Sequence, residues 1–338
     1  MEQNGLRQIQ QWLTGFAATQ ILLCSDELGV FEALRAGPQE IDGLAAALHL
    51  PAESLERLLT AAAAMGMLQR NGTTFSLTPL ARTHLLRGGQ YAGGMFHHIK
   101  HHLYPLWHHL DDAIREQKPQ WTKLPGMKDD PFSSMYQDPE ALRGFMEAMY
   151  GMTCAATQEL LESGFSFDRY RHVMDVGGAA GGFLIPVLQR HPHLRGTIFD
   201  LAAVQPIAEE NFQKARLDGR LRFTAGDFFR DPLPQDADLI ALGHILHDWN
   251  RADGTALLKK VYETLPSGGA VLVHEFFLDD TRDGPFFPAF LSLNMLVATH
   301  GKELTAREYE EWLQEVGFRR TETWRGSSAR GYALGWKE

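Results

Sequence analysis

The sequence predicts an α/β chain in which a larger domain built on a parallel sheet follows a smaller helical domain. Beyond residue 165, short apolar runs such as HVMDV, TIFD and ADLIALG alternate with helical stretches, the pattern of a parallel sheet covered by helices on both faces. Before residue 105 the pattern is a series of helices followed by a hairpin. A length of 338 residues accommodates two domains, which we place at residues 1–105 and 106–338.

Composition and charge exclude several classes of protein. Charged residues make up 22% and apolar residues 44% of the chain, as in globular domains and unlike disordered chains. The 42 acidic residues outnumber the 32 basic ones, and the net charge of −10 argues against nucleic acid or a membrane as the partner. Because Cys24 and Cys154 are the only cysteines and no apolar leader or membrane-length run occurs, we expect a cytoplasmic protein.

The smaller domain begins with three predicted helices. From residue 6 to about residue 24, apolar residues recur at helical spacing, which predicts an amphipathic helix. A second helix is predicted over residues 41–48. Pro51 can begin a third helix, because proline suits the first turn, and Gly66 ends it.

A hairpin and a further helix complete this domain. The run MLQRNGTTFSLT predicts two strands joined at Asn71-Gly72, and Thr78 followed by Pro79 predicts a helix N-terminus. Three helices and a hairpin form a winged-helix arrangement, in which the helix before the wing can bind DNA. Its charged residues are Glu53, Glu56 and Arg57. They offer almost no phosphate neutralisation, so we expect a dimerisation domain or a pocket lid instead.

A glycine-rich turn marks the start of the sheet domain. The strand HVMDV leads into GGAAGG, residues 177–182, before the next helix. Such a turn lets a ligand approach backbone amides at the carboxyl edge of a sheet. Asp200 ends the following strand, where its carboxylate can accept both hydroxyls of a ribose. The sequence therefore predicts a nucleotide-like cofactor.

The same turn discriminates between cofactors. A dinucleotide fingerprint would place glycine at position 179, which is alanine, and a P-loop would need a lysine after the glycines. S-adenosylmethionine carries a positive sulfonium and no phosphate, which suits an acidic site, and S-adenosylhomocysteine would be its product. Asp227 ends the third strand and can bind the adenine amino group, with Phe228 against the ring. The predicted cofactor residues are Asp175, Gly177, Gly178, Gly181, Asp200, Leu201, Gly226, Asp227 and Phe228.

Several motifs follow one another along the chain in a characteristic order. They are MDVGGAAGG, TIFDL, AGDFFRDPLP, ILHDW, LPSGGAVLVHE, SLNMLV, GKE and EEWLQEVGF. With them the chain resembles, over nearly its whole length, the class I S-adenosylmethionine-dependent O-methyltransferases of the caffeate and hydroxyindole (acetylserotonin) type. The resemblance implies a Rossmann-like methyltransferase domain with a mostly parallel seven-stranded sheet and an antiparallel last strand, GYALGWK. It also implies an N-terminal α-helical winged-helix domain that forms a homodimer.

The resemblance assigns roles by motif position. His247 corresponds to the general base, and Glu275 and Glu303 to the acids on either side of it. A phenolic hydroxyl has a pKa of about 10, so a histidine that accepts its proton makes it a nucleophile at neutral pH. Methyl transfer to the hydroxyl of a small aromatic acceptor, in specialised metabolism, is the function implied. The predicted acceptor residues are Met146, Met149, Phe290, Asn294, Met295 and His300, although a methionine or aromatic on a helix is by default a core residue.

Three positions and one segment depart from the family pattern, the segment being SSARGYALGW near the C-terminus, where an apolar strand is usual. Gly243 stands where Arg or Lys is usual, Leu304 where Arg is usual, and His300 where Gly or Glu is common. These changes keep open methylation at carbon or nitrogen, with or without a metal. A regulator that binds the cofactor without transferring a methyl group is a further alternative.

Histidines provide the only candidates for metal ligands. Six of the 15 lie between His97 and His109, with spacings of four residues but no carboxylate among them. A second candidate group is His244, His247 and His300. Amphipathic helices often carry such histidines without a metal, so we predict no metal site.

Overall fold

The computed structural model describes residues 2–88, 93–127, 136, 139–217 and 219–338. The chain divides into two compact units, residues 1–100 and 101–338. This division lies five residues before the predicted boundary at residue 105. Residues 95–104 contain neither glycine nor proline, and Ile99–Leu103 form a π-helical turn, so no sequence signal marks the division.

The first unit combines helices with a small antiparallel sheet, as predicted. Its helices are α1 (Glu2–Glu27), α2 (Val30–Ala33), α3 (Ile41–Leu48), α4 (Ala52–Ala64), α5 (Pro79–His84) and α6 (Gly93–His98). Its strands are β1 (Gln39–Glu40), β2 (Leu68–Asn71) and β3 (Thr74–Leu77), in the order β1-β3-β2. The buried side chains that hold this unit together include Phe31, Leu44, Leu59 and Phe75.

The helix cap predicted in this unit is confirmed, and the predicted hairpin turn lies one residue later than expected. The Thr78 hydroxyl accepts a hydrogen bond from the Ala81 amide and caps α5. The hairpin turn, however, is Gly72-Thr73 and not Asn71-Gly72, because Asn71 pairs with Thr74. Gly72 adopts a φ of 62°, which explains why glycine starts this turn.

The second unit is built on the seven-stranded sheet. Its strands are β4 (His172–Val176), β5 (Arg195–Asp200), β6 (Leu221–Ala225), β7 (Leu239–Gly243), β8 (Ala270–Phe276), β9 (Arg320–Arg325) and β10 (Arg330–Trp336), in the order β6-β5-β4-β7-β8-β10-β9. Strands β4 to β8 are parallel, and β10 runs antiparallel to both of its neighbours. This confirms the Rossmann-like sheet with an antiparallel last strand.

The described residues of the second unit also form helices. They are α7 (Tyr104–Trp107), α8 (Leu110–Glu116), α9 (Pro139–Glu162), α10 (Leu184–Arg190), α11 (Gln205–Lys214), α12 (Arg251–Thr264), α13 (Phe286–Ala298) and α14 (Ala306–Val316). Short 3₁₀ turns occupy Trp121–Lys123, Ala202–Val204 and Leu246–Asp248. No helix in the described part of the chain is long and apolar enough to cross a membrane.

Burial on both faces explains the apolar strands. Leu239 and Ala241 of β7 belong to one core cluster, whereas the alternate residues Ile240 and Leu242 belong to another. Successive side chains of a strand point to opposite faces, so the two clusters fill the two faces of the sheet. The polar residues that follow the parallel strands therefore meet at one carboxyl edge, where open α/β sheets bind their ligands.

Candidate functional site

The glycine turn after β4 is shaped by close backbone contacts. Gly177 adopts a φ of 74°, and a Cβ there would lie 2.2 Å from Cδ1 of Ile245. A Cβ on Gly178 would lie 2.7 Å from Oδ2 of Asp175. Larger residues would therefore displace the turn or the carboxyl beneath it, which explains the glycines.

Asp200 fastens the turn to the end of β5. Its Oδ2 accepts a hydrogen bond from the Ala179 amide at 2.7 Å, and its Oδ1 accepts one from the Leu201 amide at 2.7 Å. Burial raises the pKa of Asp200 to about 6, although these two hydrogen bonds favour the ionised form. Burial, reinforced by the charge of Asp200, raises the pKa of Asp175 to about 8. A cationic ligand would favour ionisation of both carboxyls, so the site suits a sulfonium compound.

The end of β6 forms the next part of this edge. Gly226 lies against the ring of Phe199, which a Cβ would approach to 2.4 Å. Oδ1 of Asp227 accepts a hydrogen bond from the Phe229 amide, so this carboxylate caps the turn as well as facing solvent. Phe228 lies edge-on to Trp249, with ring centroids 6.0 Å apart. Leu201 at the end of β5 stays 36% exposed, an apolar surface beside the turn.

His247 lies on the 3₁₀ turn after β7 and is 6% exposed. Its Nδ1 lies 2.6 Å from Oε1 of Glu303 and 3.5 Å from Oε2 of Glu275. Because a carboxylate can only accept, Nδ1 carries the proton and Nε2 is left as the nitrogen that can take up another. The structure thus brings the three predicted catalytic residues together.

Several titratable groups share this buried region. Burial opposes a charge on His247, but three neighbouring carboxylates outweigh it and hold the pKa of the imidazole well above its ordinary value. They belong to Glu275, Glu303 and Asp248. Burial also raises the pKa of Glu275 to about 8 and that of Asp248 to about 6. His247, Glu275 and Asp248 therefore share their protons and titrate as a coupled set.

Backbone contacts fix the position of His247. Oε1 of Glu275 accepts hydrogen bonds from the amides of Ile245 and Leu246, at 3.0 and 3.1 Å. Gly301 packs on the other side, where a Cβ would lie 1.9 Å from the carbonyl oxygen of His247. Sequence reasoning missed Gly301, although it lies within the GKE motif.

An aromatic wall borders the same edge. Trp107 stacks on Phe290 with centroids 5.2 Å apart, and its Nε1 donates to Oδ1 of Asn294 at 2.9 Å. Phe287 lies edge-on to Phe276 at the end of β8, 4.8 Å between centroids. Phe290 and Asn294 are thus brought together as predicted, by a tryptophan that the sequence did not single out.

The other predicted acceptor residues are placed differently. Met146 is buried in a core cluster with Leu142, Ala180 and Val204, which fits the core alternative. Met295 is buried too, and Met149 is half-buried on α9. The His300 side chain is exposed, and its amide donates to the Asp248 carbonyl.

The structure changes the metal candidates. Within the described residues, the histidine and carboxylate atoms close enough to share an ion belong to His244, His247 and Glu275, and His300 is not among them. Nη1 of Arg330 lies 3.2 Å from Nε2 of His244. A guanidinium at this distance opposes a second cation. Among the clustered histidines, His109 lies 3.3 Å from Asp112.

Residues 107–319 match the O-methyltransferase domain, and residues 10–87 match the O-methyltransferase dimerisation domain. The chain is 36% identical to 3-hydroxy-5-methyl-1-naphthoate 3-O-methyltransferase of Streptomyces sahachiroi, over 96% of this chain and 93% of that protein. It is 33% identical to the tetracenomycin polyketide synthesis 8-O-methyl transferase of Streptomyces glaucescens, over 99% and 97%. Human N-acetylserotonin methyltransferase in complex with S-adenosylmethionine is a structural match with a TM-score of 0.92 and 30% identity, over 98% of this chain and 97% of that one.

Proposed function

This chain belongs to the O-methyltransferase family, and from that premise we propose that it methylates the hydroxyl of a small phenolic or heteroaromatic acceptor with His247 as general base. One observation carries the proposal: a buried imidazole, bonded through Nδ1 to a carboxylate, lies at the sheet edge that also carries the glycine turn. Methylation of a hydroxyl needs a proton acceptor there. Methylation of an amine or carbon would not account for the paired acids as directly.

S-adenosylmethionine is the methyl donor of this family, and when bound it supplies a methyl group on a positively charged sulfur. The residues of the sheet edge fit it. We assign the ribose hydroxyls to Asp200 and the adenine to Asp227 and Phe228. The carboxyls of Asp175 and Asp200 have their pKa values raised by burial, so a positive ligand stabilises their charged forms.

Asp200→Asn is expected to weaken S-adenosylmethionine binding by about 10- to 100-fold, since charge-assisted hydrogen bonds to the ligand are lost. Isothermal titration calorimetry measures the dissociation constant. Asp168→Asn is the matched control, because Asp168 is exposed and bonds to Ser166 before β4, at the opposite edge of the sheet. Equal affinities in the two variants would contradict the assignment of Asp200.

The protein residues then handle the proton. Nδ1 of His247 stays bonded to Glu303, so Nε2 accepts the proton of the acceptor hydroxyl. The neighbouring carboxylates stabilise the imidazolium that forms. Trp107, Phe290 and Asn294 orient an aromatic ring, and holding the two reactants in line lowers the barrier further.

The raised pKa of His247 sets the pH dependence of the reaction. Only neutral His247 accepts a proton, so kcat/KM is expected to fall as the pH drops through a value above 6.5. Glu303→Gln removes one carboxylate, lowers the pKa of His247 and moves this acid limb to lower pH. The measurement is kcat/KM against pH at saturating donor. Glu263→Gln is the control: Glu263 is exposed, so this variant should keep the acid limb of kcat/KM at the same pH. An acid limb that Glu303→Gln does not shift would contradict the assignment of Glu303.

We propose a homodimer formed through the first unit, which matches the dimerisation domain. Helix α1 carries several exposed apolar side chains. They are Leu6, Ile9, Trp12 and Leu13. Trp12 is 70% exposed in the single chain. Such exposure is unfavourable for a large aromatic ring unless another surface covers it.

Trp12→Glu is expected to shift the protein from dimer to monomer, because a charge would be buried in the interface. Light scattering after gel filtration measures the mass. Leu80→Glu is the control, since Leu80 is an exposed apolar residue of α5 in the same unit. A Trp12→Glu protein that keeps the dimer mass would place the interface elsewhere.

We propose a cytoplasmic enzyme of specialised metabolism. Cys24 and Cys154 are both free thiols, as a reducing compartment favours. The names of two relatives concern a naphthoate and a polyketide, which supports a polycyclic phenol as acceptor.

Methyl-¹³C-labelled S-adenosylmethionine tests the proposed reaction directly. Incubation with naphthol and hydroxyindole acceptors should give a product whose labelled methyl is bound to oxygen, identified by NMR. A methyl on carbon or nitrogen would favour the other methyltransferase chemistries. Donor binding without any transfer would favour a regulator, and either result would overturn the proposal.

A further inference from the structure

A buried arginine reaches the candidate active site from the last strand of the sheet. Arg330 pairs with Phe276 in the β10–β8 ladder, so it lies at the carboxyl edge that carries His247. Its side chain is 12% exposed, and its Nε lies 3.7 Å from Oε2 of Glu159, the carboxylate that faces it from α9. Its guanidinium lies 4.5 Å from the centroid of the Phe276 ring, and its Nη2 donates to the Met152 carbonyl at 3.3 Å.

The guanidinium determines which nitrogen of His244 carries a proton. Nη1 of Arg330 lies 3.2 Å from Nε2 of His244. Arginine has donors only, so Nε2 must accept this bond. Burial and the nearby cations hold the pKa of His244 well below its ordinary value, so the ring is neutral. A neutral ring that accepts at Nε2 carries its proton on Nδ1.

The Nδ1 side of His244 faces Glu275. The distance from Nδ1 to Oε2 of Glu275 is 3.7 Å, and the same oxygen lies 3.5 Å from Nδ1 of His247. Both Nδ1 of His244 and Oε2 of Glu275 are buried without a hydrogen-bond partner among the described residues. An unpaired donor and an unpaired acceptor thus face each other beside the base, and a small shift would join them.

We propose that Arg330 is a positioning residue for the base: by fixing the Nδ1–H tautomer of His244, it turns a donor toward Glu275 and holds that carboxylate against His247. The inference rests on the proposed role of His247. With the opposite tautomer, a lone pair of His244 would face the carboxylate and repel it.

The end of β7 itself has no room for a basic side chain. A Cβ on Gly243 would lie 1.9 Å from Cε1 of His274, so this ring fills the space that a side chain would need. The ring of His274 is stacked on Phe183, 5.0 Å between centroids. The positive charge that acts on His244 and His274 comes instead from Arg330, on a different strand.

The charged and titratable groups around the two histidines come from several elements. Among the described residues, those facing His244 are His247, His274, Glu275 and Arg330, and those facing His247 are His244, Asp248, Glu275 and Glu303. Glu275 is the carboxylate that both histidines share, so a change at His244 reaches His247 through it.

Arg330→Met keeps the length of the side chain but removes its donors. We expect kcat to fall about tenfold, as for other residues that orient a reacting group through a neighbour. We also expect the acid limb of kcat/KM to move to lower pH, because loss of the His244 donor raises the pKa of Glu275 further, and a carboxyl that is charged less of the time raises the pKa of His247 less. Arg330→Lys, which retains a donor, should restore most of the rate and the position of the limb.

Nitrogen NMR of protein labelled with ¹⁵N-histidine reads the tautomer without any turnover. The intact protein should show His244 with its proton on Nδ1, whereas Arg330→Met should show a mixture. Arg169→Met is the matched control, since Arg169 lies over the ring of Tyr170 far from this edge. A His244 tautomer that Arg330→Met leaves unchanged would overturn the inference.

A double-variant cycle tests the order of the contacts. His244→Asn keeps an N–H near the place of Nδ1, and asparagine tolerates the φ of 55° at this position. It lacks the nitrogen that Arg330 contacts. Arg330→Met should therefore have no further effect on the limb in the His244→Asn protein, and additive shifts would overturn the inference. An intact enzyme that transfers no methyl group would refute the proposed function instead.

Discussion

His247→Asn is expected to lower kcat for methyl transfer by about 10²- to 10⁴-fold, the usual contribution of a general base. The asparagine amide can still donate to Glu303, so the buried carboxylate keeps a partner. What the variant lacks is Nε2, the nitrogen that accepts the proton. Single-turnover rates at saturating donor and acceptor measure the effect.

Binding of S-adenosylmethionine should change little in this variant, because we assign His247 to the acceptor hydroxyl and not to the donor site. His84→Asn is the control, since His84 is exposed on α5. A His247→Asn enzyme that keeps most of its kcat would show that another group, or solvent, takes the proton.

Gly301→Ala is expected to lower kcat by about 100-fold, since a shift of about 1 Å in a catalytic group has that effect. The added methyl would lie 1.9 Å from the carbonyl oxygen of His247 and 2.7 Å from the carbonyl carbon of Asp248. Both are backbone atoms, so no side-chain rotation relieves the contact. The turn that carries the base must move.

Gly151→Ala separates this effect from a general response to a larger residue. Gly151 lies within α9, and a Cβ built there would have no other atom of the described residues within 4 Å, apart from its chain neighbours and the backbone of its own helix turns. Alanine is favoured over glycine inside a helix by about 1 kcal/mol, so this variant should be at least as stable and fully active. A Gly301→Ala enzyme with unchanged kcat would mean that the base does not depend on this contact.

Local sequence patterns predicted the sheet and which polar residues follow its strands. Strand ends are marked by short polar insertions after apolar runs, so the sequence alone assigned Asp200 and His247 to the carboxyl edge. The roles of Glu275 and Glu303 were assigned from the order of the motifs that the chain shares with the family. The family assignment and the fold class were confirmed by the fold and by the relatives, which are O-methyltransferases, one of them solved with S-adenosylmethionine.

Residues that act through tertiary contacts gave no such signal. Trp107 and Arg330 are separated from their partners Asn294 and His244 by 187 and 86 residues. Nothing local distinguishes such a tryptophan or arginine from one on the surface. Helical periodicity also could not tell a core methionine from one that lines a pocket, and the structure packs Met146 in a core cluster.

Two of the departures from the family pattern, Gly243 and Leu304, have structural explanations. At position 243, the ring of His274 occupies the space of a side chain. Leu304 is buried in the core, where a leucine needs no charged partner. Neither change disrupts the contacts of His247, so neither favours loss of activity.

Acceptors of graded acidity test most directly whether His247 takes the proton of the acceptor hydroxyl. Rates of the intact enzyme and of His247→Asn should be compared over a series of phenols whose pKa runs from about 10 to below the assay pH. An ionised phenol needs no base. If His247 is the general base, the rate of the intact enzyme divided by that of His247→Asn should fall from at least about 100 toward one along the series. A ratio that stays constant as the phenol pKa falls would contradict it.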